Sequence, residues 1–267
     1  MIGGRTRVFA LLGDPVSHSL SPAMQNAAFR VLGLDAVYVP LPCPADQVPS
    51  LMRSLASAGG GGNVTVPHKE VAAGALDRAS DRVAQFGTCN TFWWEEDLLR
   101  GDTTDVDGIL AAVDRLGVDA GAWLVIGTGG SARAVAEAAR QRGARLAVAS
   151  RDPARRAAFA SRAASLGVGA ASPEEAGLVI NATPLGLRAN DPLPIPLAAT
   201  PAAVGALDMV YRPGCTPWVR AHRLAGHRAD DGREVLVAQG AAALARWFPL
   251  HDPPVEVMRA AVRAALG

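Results

Sequence analysis

The chain of 267 residues has almost no lysine. It carries 26 basic residues, and Lys69 is the one lysine among them; all the others are arginines. Arginine holds its proton in a planar fork, whereas the ammonium of lysine is compact and can release a proton. The composition therefore indicates that arginine could not replace lysine at position 69. The alternative is that this one lysine has been retained by chance.

Cysteines are few, the histidines are not clustered, and neither sign of charge is in large excess. Each of these features argues against a class of protein. The 3 cysteines lie far apart with no CxxC, so we expect no disulfide framework and a reduced, cytoplasmic setting. The 5 histidines show no metal-ligand spacing, which predicts no metal site. The 26 basic and 25 acidic residues nearly balance, which argues against a nucleic-acid or membrane-surface partner.

Long apolar runs are absent as well. No run approaches the roughly 20 residues of a membrane span, and residues 1–15 lack the apolar core and cleavage site of a signal peptide. With 49% hydrophobic and 19% charged residues, the composition is typical of a folded globular protein.

Strand-like and helix-like segments alternate along the chain, which predicts an α/β fold of two domains. In the first domain we predict strands at 7–12, 36–41, 63–66 and 88–94 and helices at 21–32, 50–58, 69–75 and 79–86. Ser21 is predicted to be a helix N-cap, with Pro22 at the first helical position. In the second domain we predict strands at 123–126, 145–149, 178–181 and 206–210 and helices at 106–116, 131–141 and 153–165, followed by helices at 234–248 and 254–266.

A glycine-rich loop lies between the apolar strand 123–126 and the helix 131–141. Gly127, Gly129 and Ala132 fit the pattern G-x-G-x-x-G/A, in which glycines let a pyrophosphate approach the backbone at a helix N-terminus. Because the required strand and helix flank the loop, it predicts dinucleotide binding, with a purely structural turn as the alternative.

The end of the next strand bears on which dinucleotide is bound. Ser150, Arg151 and Arg155 favour NADP, because arginine suits the 2′-phosphate, whereas an NAD site usually shows an acid here. Asp152 would repel that phosphate, so NAD stays open as a weaker alternative. These arginines could also be solvated charges at a helix start.

A second glycine run, Gly59–Gly62, fits a phosphate loop badly. It precedes a strand, and no GK[ST] follows it. We interpret it as a turn that brings the backbone at residues 63–65 close to a ligand or to another strand. Lys69 follows closely, within a first domain whose many Ser, Thr and Asn residues suit a polyhydroxylated ligand.

Eight stretches together resemble the shikimate dehydrogenase family in order and spacing, along the whole chain. They are GDPVSHSLSP, GNVTVPHKE, CNT, GDTTD, GTGGSARA, NATPLG, DMVY and LVAQ. The resemblance implies NADPH-dependent reduction of 3-dehydroshikimate to shikimate, on the route to chorismate and the aromatic amino acids. It also implies a catalytic domain of residues 1–104 plus 239–267, a Rossmann-like NADP-binding domain of residues 105–238, and a substrate cleft between them.

The family pattern implies a role for each group of site residues. Lys69 and Asp105 are implied to be the catalytic pair, and Ser19 and Ser21 to bind the substrate carboxylate. Contacts to the substrate's hydroxyls or ring are implied for Thr65, Asn90, Tyr211 and Gln239. The implied NADP-binding residues are Gly127, Thr128, Gly129, Gly130, Ser131, Ser150, Arg151, Arg155, Thr183, Met209 and Gly232.

The lone lysine suits this chemistry. Hydride transfer to a ketone leaves an alkoxide, so a proton donor must stand within hydrogen-bond reach. An ammonium stabilises the developing charge and donates the proton, whereas arginine would part with a proton poorly. Asp105 would hold Lys69 in place.

Four positions depart from the family pattern, and two rival functions stay open. Thr103 and Ser150 replace asparagines, Asp152 replaces a common threonine, and Glu234 stands where a glycine normally lets the backbone approach the nicotinamide. One rival is a quinate/shikimate or aminoshikimate dehydrogenase of the same family. The other is a non-catalytic NADP-binding sensor, which should have a damaged Lys–Asp pair. Monomer and homodimer are both compatible with the sequence.

Overall fold

The computed structural model describes residues 2–188, 190–249 and 252–266. The chain divides into two compact units. Unit 1 comprises Met1–Gly108 and Leu236–Gly267, and unit 2 comprises Ile109–Val235. Among the residues described, no helix is long and apolar enough to cross a membrane.

Strands and helices alternate through most of the chain. The strands are β1 (Arg7–Gly13), β2 (Ala36–Pro42), β3 (Gly61–Val64), β4 (Arg78–Ala79), β5 (Thr91–Glu95), β6 (Leu98–Asp102), β7 (Ala122–Ile126), β8 (Arg145–Ala149), β9 (Leu178–Asn181), β10 (Gly205–Asp208) and β11 (Arg228–Asp230). The helices are α1 (Ser21–Val31), α2 (Val48–Ser57), α3 (Lys69–Gly74), α4 (Asp81–Phe86), α5 (Asp105–Leu116), α6 (Gly130–Gln141), α7 (Pro153–Ser165), α8 (Pro217–Leu224), α9 (Arg233–Trp247) and α10 (Val255–Leu266). The predicted α/β fold class is confirmed.

Unit 1 is built on a mixed sheet with the strand order β2-β1-β3-β5-β6-β4. Its strand β1 is apolar on both faces: Phe9 and Leu11 belong to one buried cluster, and Ala10 and Leu12 belong to the other. Because successive side chains of a strand point to opposite faces, both faces of this sheet are covered. The parallel strands β1 and β3 end at the same edge, just before the polar segments that carry the candidate site.

The sequence prediction missed the hairpin formed by β5 and β6. These strands pair antiparallel, and the turn between them is Glu96–Asp97, with φ of 54° and 59°. Tight hairpin turns with two positive φ values are usually made by Asn-Gly, Asp-Gly or Gly-Gly, so Glu-Asp carries no recognisable turn signal. Helix α8 and strand β11 were also not predicted.

The glycine run 59–62 is only partly a turn. Gly59 has a φ of 84° and ends the connection from α2, whereas Gly61 and Gly62 are in the buried strand β3. A Cβ at Gly61 would lie 2.7 Å from the Phe92 carbonyl oxygen, and one at Gly62 would collide with that of Ala10. These glycines are therefore explained by the close approach of neighbouring strands, which was one of the two interpretations.

Unit 2 contains a parallel sheet with the strand order β11-β10-β9-β7-β8. Counted along the chain from β7, this is the order 2-1-3-4-5 of a doubly wound fold. Ligands of such sheets bind at the carboxyl ends of the strands where the order reverses, which here is between β7 and β9. The loops that begin at Gly127 and Ala182 follow those two strands.

Candidate active site

Lys69 and Asp105 meet inside unit 1. Lys69 is the first residue of α3 and Asp105 is the first residue of α5. The Nζ of Lys69 donates a hydrogen bond to Oδ2 of Asp105. The two residues are only 8% and 7% exposed, so their opposite charges attract more strongly than they would in bulk water.

Backbone hydrogen bonds hold the segments that carry this pair. The N–H of Cys89 donates to the Lys69 carbonyl (2.9 Å), and the N–H of Asn90 donates to the Asp102 carbonyl (3.1 Å). The N–H of Val64 in turn donates to the Asn90 carbonyl (2.9 Å). The residues just before β5 therefore tie the end of β3 to the end of β6, and so fix the start of α3 relative to that of α5.

Asn90 and Gln239 lie beside the pair. The Nδ2 of Asn90 donates to Oδ1 of Asp105 (2.8 Å) and lies 3.4 Å from Oε1 of Gln239. The Nε2 of Gln239 donates to the Leu236 carbonyl (2.8 Å), within α9. The structure thus brings together four of the predicted site residues around one carboxylate.

The predicted carboxylate-binding serines lie after β1, and Thr65 lies after β3. The Ser19 hydroxyl accepts a hydrogen bond from the N–H of Ser21 (3.2 Å), and the N–H of Thr65 donates to the Leu12 carbonyl (2.8 Å). The prediction that Ser21 is the N-cap of α1 is wrong. Leu20 is the N-cap of α1 and provides no side-chain hydrogen bond, so Ser21 is already helical.

The side chain of Asn63 is bonded to neighbouring strands, which agrees with the second interpretation of the glycine turn, the approach to another strand. Its Oδ1 accepts a hydrogen bond from the Tyr38 hydroxyl (2.8 Å). Its Nδ2 donates to the Asn90 carbonyl (3.0 Å) and to the Thr91 hydroxyl (2.9 Å). With every polar atom of its side chain engaged and 5% exposure, Asn63 belongs to the protein interior.

In unit 2, the glycine-rich loop leads from β7 into α6. Gly127 has a φ of 113°, and a Cβ there would lie 3.0 Å from the Ala182 carbonyl oxygen, so only glycine fits without strain. Gly129 is the N-cap of α6 and has no side chain to cap it, so Gly130 and Ser131 form a first turn without an N-cap side chain. Such a helix N-terminus suits an anion; Thr128 lies between the two glycines.

The predicted NADP-selecting residues surround the start of α7. Arg151 is exposed, and the side chain of Arg155 is 78% exposed. Asp152 is the N-cap: its Oδ1 accepts from the N–H groups of Ala154 (2.9 Å) and Arg155 (3.1 Å). The Ser150 hydroxyl accepts from the N–H of Asp152 (3.3 Å). Capping thus gives the unexpected acid a structural role that leaves both arginines exposed.

The other predicted cofactor residues, Thr183, Met209 and Gly232, follow β9, β10 and β11 respectively. The Thr183 hydroxyl donates to Oδ1 of Asn181 (2.7 Å). A Cβ at Gly232 would collide with the carbonyl oxygen of Met209, so the chain that enters α9 packs directly on the backbone after β10. Tyr211, predicted to contact substrate, lies in the same segment as Met209.

Comparison with known proteins identifies the family. A relative from Rubrobacter xylanophilus, named shikimate dehydrogenase (NADP(+)), is 41% identical over 276 residues, which cover 98% of this chain and 97% of the relative. The chain belongs to the shikimate dehydrogenase family. Family models for the shikimate dehydrogenase substrate binding domain and the shikimate 5′-dehydrogenase C-terminal domain match residues 11–92 and 232–263.

Solved shikimate dehydrogenases share the fold. The Thermus thermophilus enzyme, in complex with NADP(H) and shikimate, is 36% identical, with a TM-score of 0.88 over 97% of this chain and 99% of that one. The Listeria monocytogenes enzyme, in complex with shikimate and NAD, is 25% identical, with a TM-score of 0.86 over 98% of each chain. The resemblance inferred from the sequence motifs is therefore confirmed.

One ion pair of this shikimate dehydrogenase fold was not predicted. Arg246 of α9 donates from Nη2 to Oδ2 of Asp102 (3.0 Å), while Oδ1 of Asp102 accepts from the Ser80 hydroxyl (2.6 Å) and the N–H of Thr103 (2.8 Å). Burial alone would raise the pKa of Asp102, but these hydrogen bonds and the arginine charge hold it below its ordinary value. The GDTTD motif marks Asp102, but nothing in the sequence marks Arg246 as its partner.

A buried aspartate, Asp208, stands at the end of β10 in unit 2. Burial raises the pKa of Asp208 to about 6, although hydrogen bonds from the Thr216 hydroxyl (2.7 Å), the N–H of Val210 (3.1 Å) and Nδ2 of Asn181 (2.8 Å) oppose the rise. The Asp208 carboxyl thereby joins the end of β9 to the loop that carries Met209.

Proposed function

We propose that this protein catalyses the reversible, NADP-dependent interconversion of 3-dehydroshikimate and shikimate. In this proposal residues 1–104 plus 239–267 hold the substrate, and residues 105–238 hold NADP(H). The observation that carries the proposal is the buried Lys69–Asp105 ion pair, in a chain that is 41% identical over nearly its full length to a shikimate dehydrogenase (NADP(+)). An intact pair argues against the non-catalytic sensor.

The residues of unit 2 fit NADP. The glycine-lined start of α6 offers backbone N–H groups to a pyrophosphate, and exposed Arg151 and Arg155 offer cations to a 2′-phosphate. The bound nicotinamide would supply or take up the hydride. Gly232 tolerates no side chain and lets its own backbone lie against that of Met209, after β10. Gly127, after β7, likewise lies close to the backbone of Ala182.

In the reductive direction, Lys69 donates a proton from its ammonium to the oxygen of the reduced ketone. The oxygen gains this proton as the carbon gains the hydride, which gives a neutral alcohol, and Lys69 recovers a proton from solvent. Asp105 holds the ammonium in position through its Oδ2, while Asn90 holds Asp105 through its Oδ1. Placing the donor in advance lowers the barrier because little reorganisation is left for the reaction itself.

We assign substrate binding to the polar residues after β1 and β3 and to their neighbours. Ser19 and Ser21 accommodate the carboxylate with their hydroxyl groups. Thr65, Asn90, Tyr211 and Gln239 contact the ring or its hydroxyls.

The direct test is a spectrophotometric assay of shikimate oxidation with NADP and, separately, with NAD. We expect turnover with shikimate and a higher kcat/KM for NADP. Quinate and aminoshikimate are the matched control substrates, and a higher kcat/KM for either would favour the corresponding relative of the family. Absence of turnover with every substrate and both cofactors would refute the proposal and leave the sensor standing.

A further inference from the structure

The orientation of the Asn90 amide is determined by its neighbours. The backbone N–H of Thr104 can only donate a hydrogen bond, and it lies 2.8 Å from one end of this amide, which must therefore be Oδ1. The other end is consequently Nδ2, and it faces Oδ1 of Asp105 at 2.8 Å. Asn90 thus presents a donor to the catalytic carboxylate only while its oxygen is held on the opposite side.

The amide of Asn63 is oriented by the same reasoning. The Asn90 backbone carbonyl can only accept, so the atom 3.0 Å from it is Nδ2 of Asn63. The second proton of this nitrogen points to the Thr91 hydroxyl at 2.9 Å, and Oδ1 accepts from the Tyr38 hydroxyl at 2.8 Å. Asn63 is therefore an obligatory donor to Thr91.

The Thr91 hydroxyl passes this polarity on to Asn90. It accepts from Asn63, so its own proton goes to Oδ1 of Asn90 (3.0 Å) or to the Thr104 hydroxyl (3.0 Å). In the second case the Thr104 hydroxyl donates to the same oxygen, 3.2 Å away. In both arrangements the donors run in one direction, from Tyr38 through Asn63, Thr91 and Asn90 to the catalytic carboxylate.

The side chains that form this series of hydrogen bonds are all buried. Thr91 and Thr104 are fully buried, and Asn63 and Asn90 are 5% and 3% exposed. Water cannot readily replace a hydrogen bond lost here, so an unpaired group would carry its full desolvation cost and its neighbours would turn to compensate. Loss of the Thr91 hydroxyl would leave Oδ1 of Asn90 with donors from Thr104 alone, and Nδ2 of Asn63 without one of its two acceptors.

We propose that Thr91 is a positioning residue: together with the backbone N–H of Thr104, its buried hydroxyl keeps the Asn90 amide oriented, and Asn90 in turn holds the Asp105 carboxylate against Lys69. This role rests on the proposed function, since it concerns the placement of the proposed proton-transfer pair. Thr91 itself makes no contact with Lys69 or Asp105 among its hydrogen bonds within the described chain.

The test compares Thr91→Val with Thr91→Ser. Valine removes the hydroxyl at nearly constant volume and suits a strand, whereas serine keeps the hydroxyl. For the valine variant we expect kcat for shikimate oxidation to fall about 10-fold, because a loosened catalytic group costs rate, with KM for shikimate changing less. The solvent deuterium isotope effect on kcat should increase, because the proton transfer becomes more limiting; the serine variant should match the wild type.

Thr88→Val is the matched control. The Thr88 side chain is equally buried, at 1% exposure, lies two residues before Asn90 and has no hydrogen-bond partner among the described residues. This variant should keep wild-type kcat and isotope effect. Thermal unfolding identifies folded variants, and if Thr91→Val does not fold, Thr91→Ala is assessed by the same criteria.

Two results would overturn the inference while the wild type turns over shikimate. One is wild-type kcat and isotope effect in the folded Thr91→Val or Thr91→Ala variant. The other is an equal loss in Thr88→Val, which would make the effect a general one of core polarity. A wild type without shikimate turnover would instead refute the proposed function.

Discussion

The two candidate sites are built in opposite ways. In unit 1, the side chains of Lys69, Asp105 and Asn90 are buried and hydrogen-bonded to one another. In unit 2, the candidate NADP site relies on the backbone around Gly127 and Gly129 and on exposed arginines. The first arrangement holds the ammonium of Lys69 in one place, and the second leaves backbone N–H groups and cations open to solvent.

The departures from the family pattern follow this difference. Ser150, Asp152 and Glu234 all lie in unit 2, and Thr103 alone lies in unit 1. A site made from backbone groups and exposed cations tolerates side-chain changes, as the capping role of Asp152 illustrates. A site made from mutually bonded buried side chains does not, because each change leaves a polar partner unpaired. The predictions for Lys69, for Arg151 with Arg155 and for Asp152 test this contrast, and all predictions below run from the largest expected effect to the smallest.

Lys69→Arg should have the largest effect. Arginine keeps the charge but releases its proton poorly and does not match the compact ammonium beside Asp105. We expect kcat to fall by about 10²–10⁴-fold, the usual contribution of a positioned acid or base, with KM for shikimate changing less. Steady-state kinetics with NADP measures both, and thermal unfolding controls for folding. Near-normal turnover would contradict the proposed role of Lys69 as proton donor.

Acid should destabilise unit 2 through His222. Burial, with a smaller contribution from His227, lowers the pKa of His222 to about 4, from an ordinary value near 6.5. The unfolded state therefore binds more protons below pH 6.5, so stability falls as the pH decreases from there through about 4. Between pH 7 and pH 5 this group should cost roughly 1–2 kcal/mol of unfolding free energy.

His222→Phe tests that acid sensitivity. The variant keeps an aromatic ring beside Trp218, whose ring centroid lies 4.7 Å from that of His222. Urea unfolding of the wild type and the variant at both pH values should show a smaller loss for the variant. An equal loss in both proteins would assign the acid sensitivity to other groups.

Removing the arginines should affect one cofactor only. In Arg151→Ala/Arg155→Ala we expect kcat/KM for NADPH to fall about 10-fold, because exposed charge-assisted contacts to a phosphate are lost, while the value for NADH stays the same. Arg156→Ala, an exposed arginine of the same helix, is the matched control and should leave both values unchanged. Equal losses with both cofactors would contradict a 2′-phosphate role.

Substituting Asp152 should separate capping from charge. Asparagine can cap α7 as aspartate does, whereas alanine cannot, so Asp152→Ala should lose about 1 kcal/mol of unfolding free energy and Asp152→Asn little. Both variants remove a negative charge near Arg155, so KM for NADPH should fall a few-fold in each. Denaturant unfolding and cofactor titration measure the two effects, and equal stability of the two variants would contradict the capping role.

The elements predicted best were those with local signals. The strand β7, its glycine loop and the helix α6 follow from an apolar run, a glycine pattern and helix periodicity within twenty residues of sequence. The β5–β6 hairpin could not be predicted, because Glu96 and Asp97 adopt positive φ values and the pair Glu-Asp is not a typical hairpin turn sequence. The predicted cap of α1 lies one residue late, since Ser21 resembles an N-cap but is the first helical residue.

Sequence alone determined the α/β class, the family and the candidate residues, because apolar periodicity, glycine spacing and short motifs are local properties of the chain. It also marked Lys69, through the choice of lysine over arginine. Tertiary structure alone decided which polar groups are partners: Asn63 with Tyr38, Arg246 with Asp102, and Thr91 with Asn63. Such pairings join residues that only the folded sheet brings together, and burial decides what each hydrogen bond is worth.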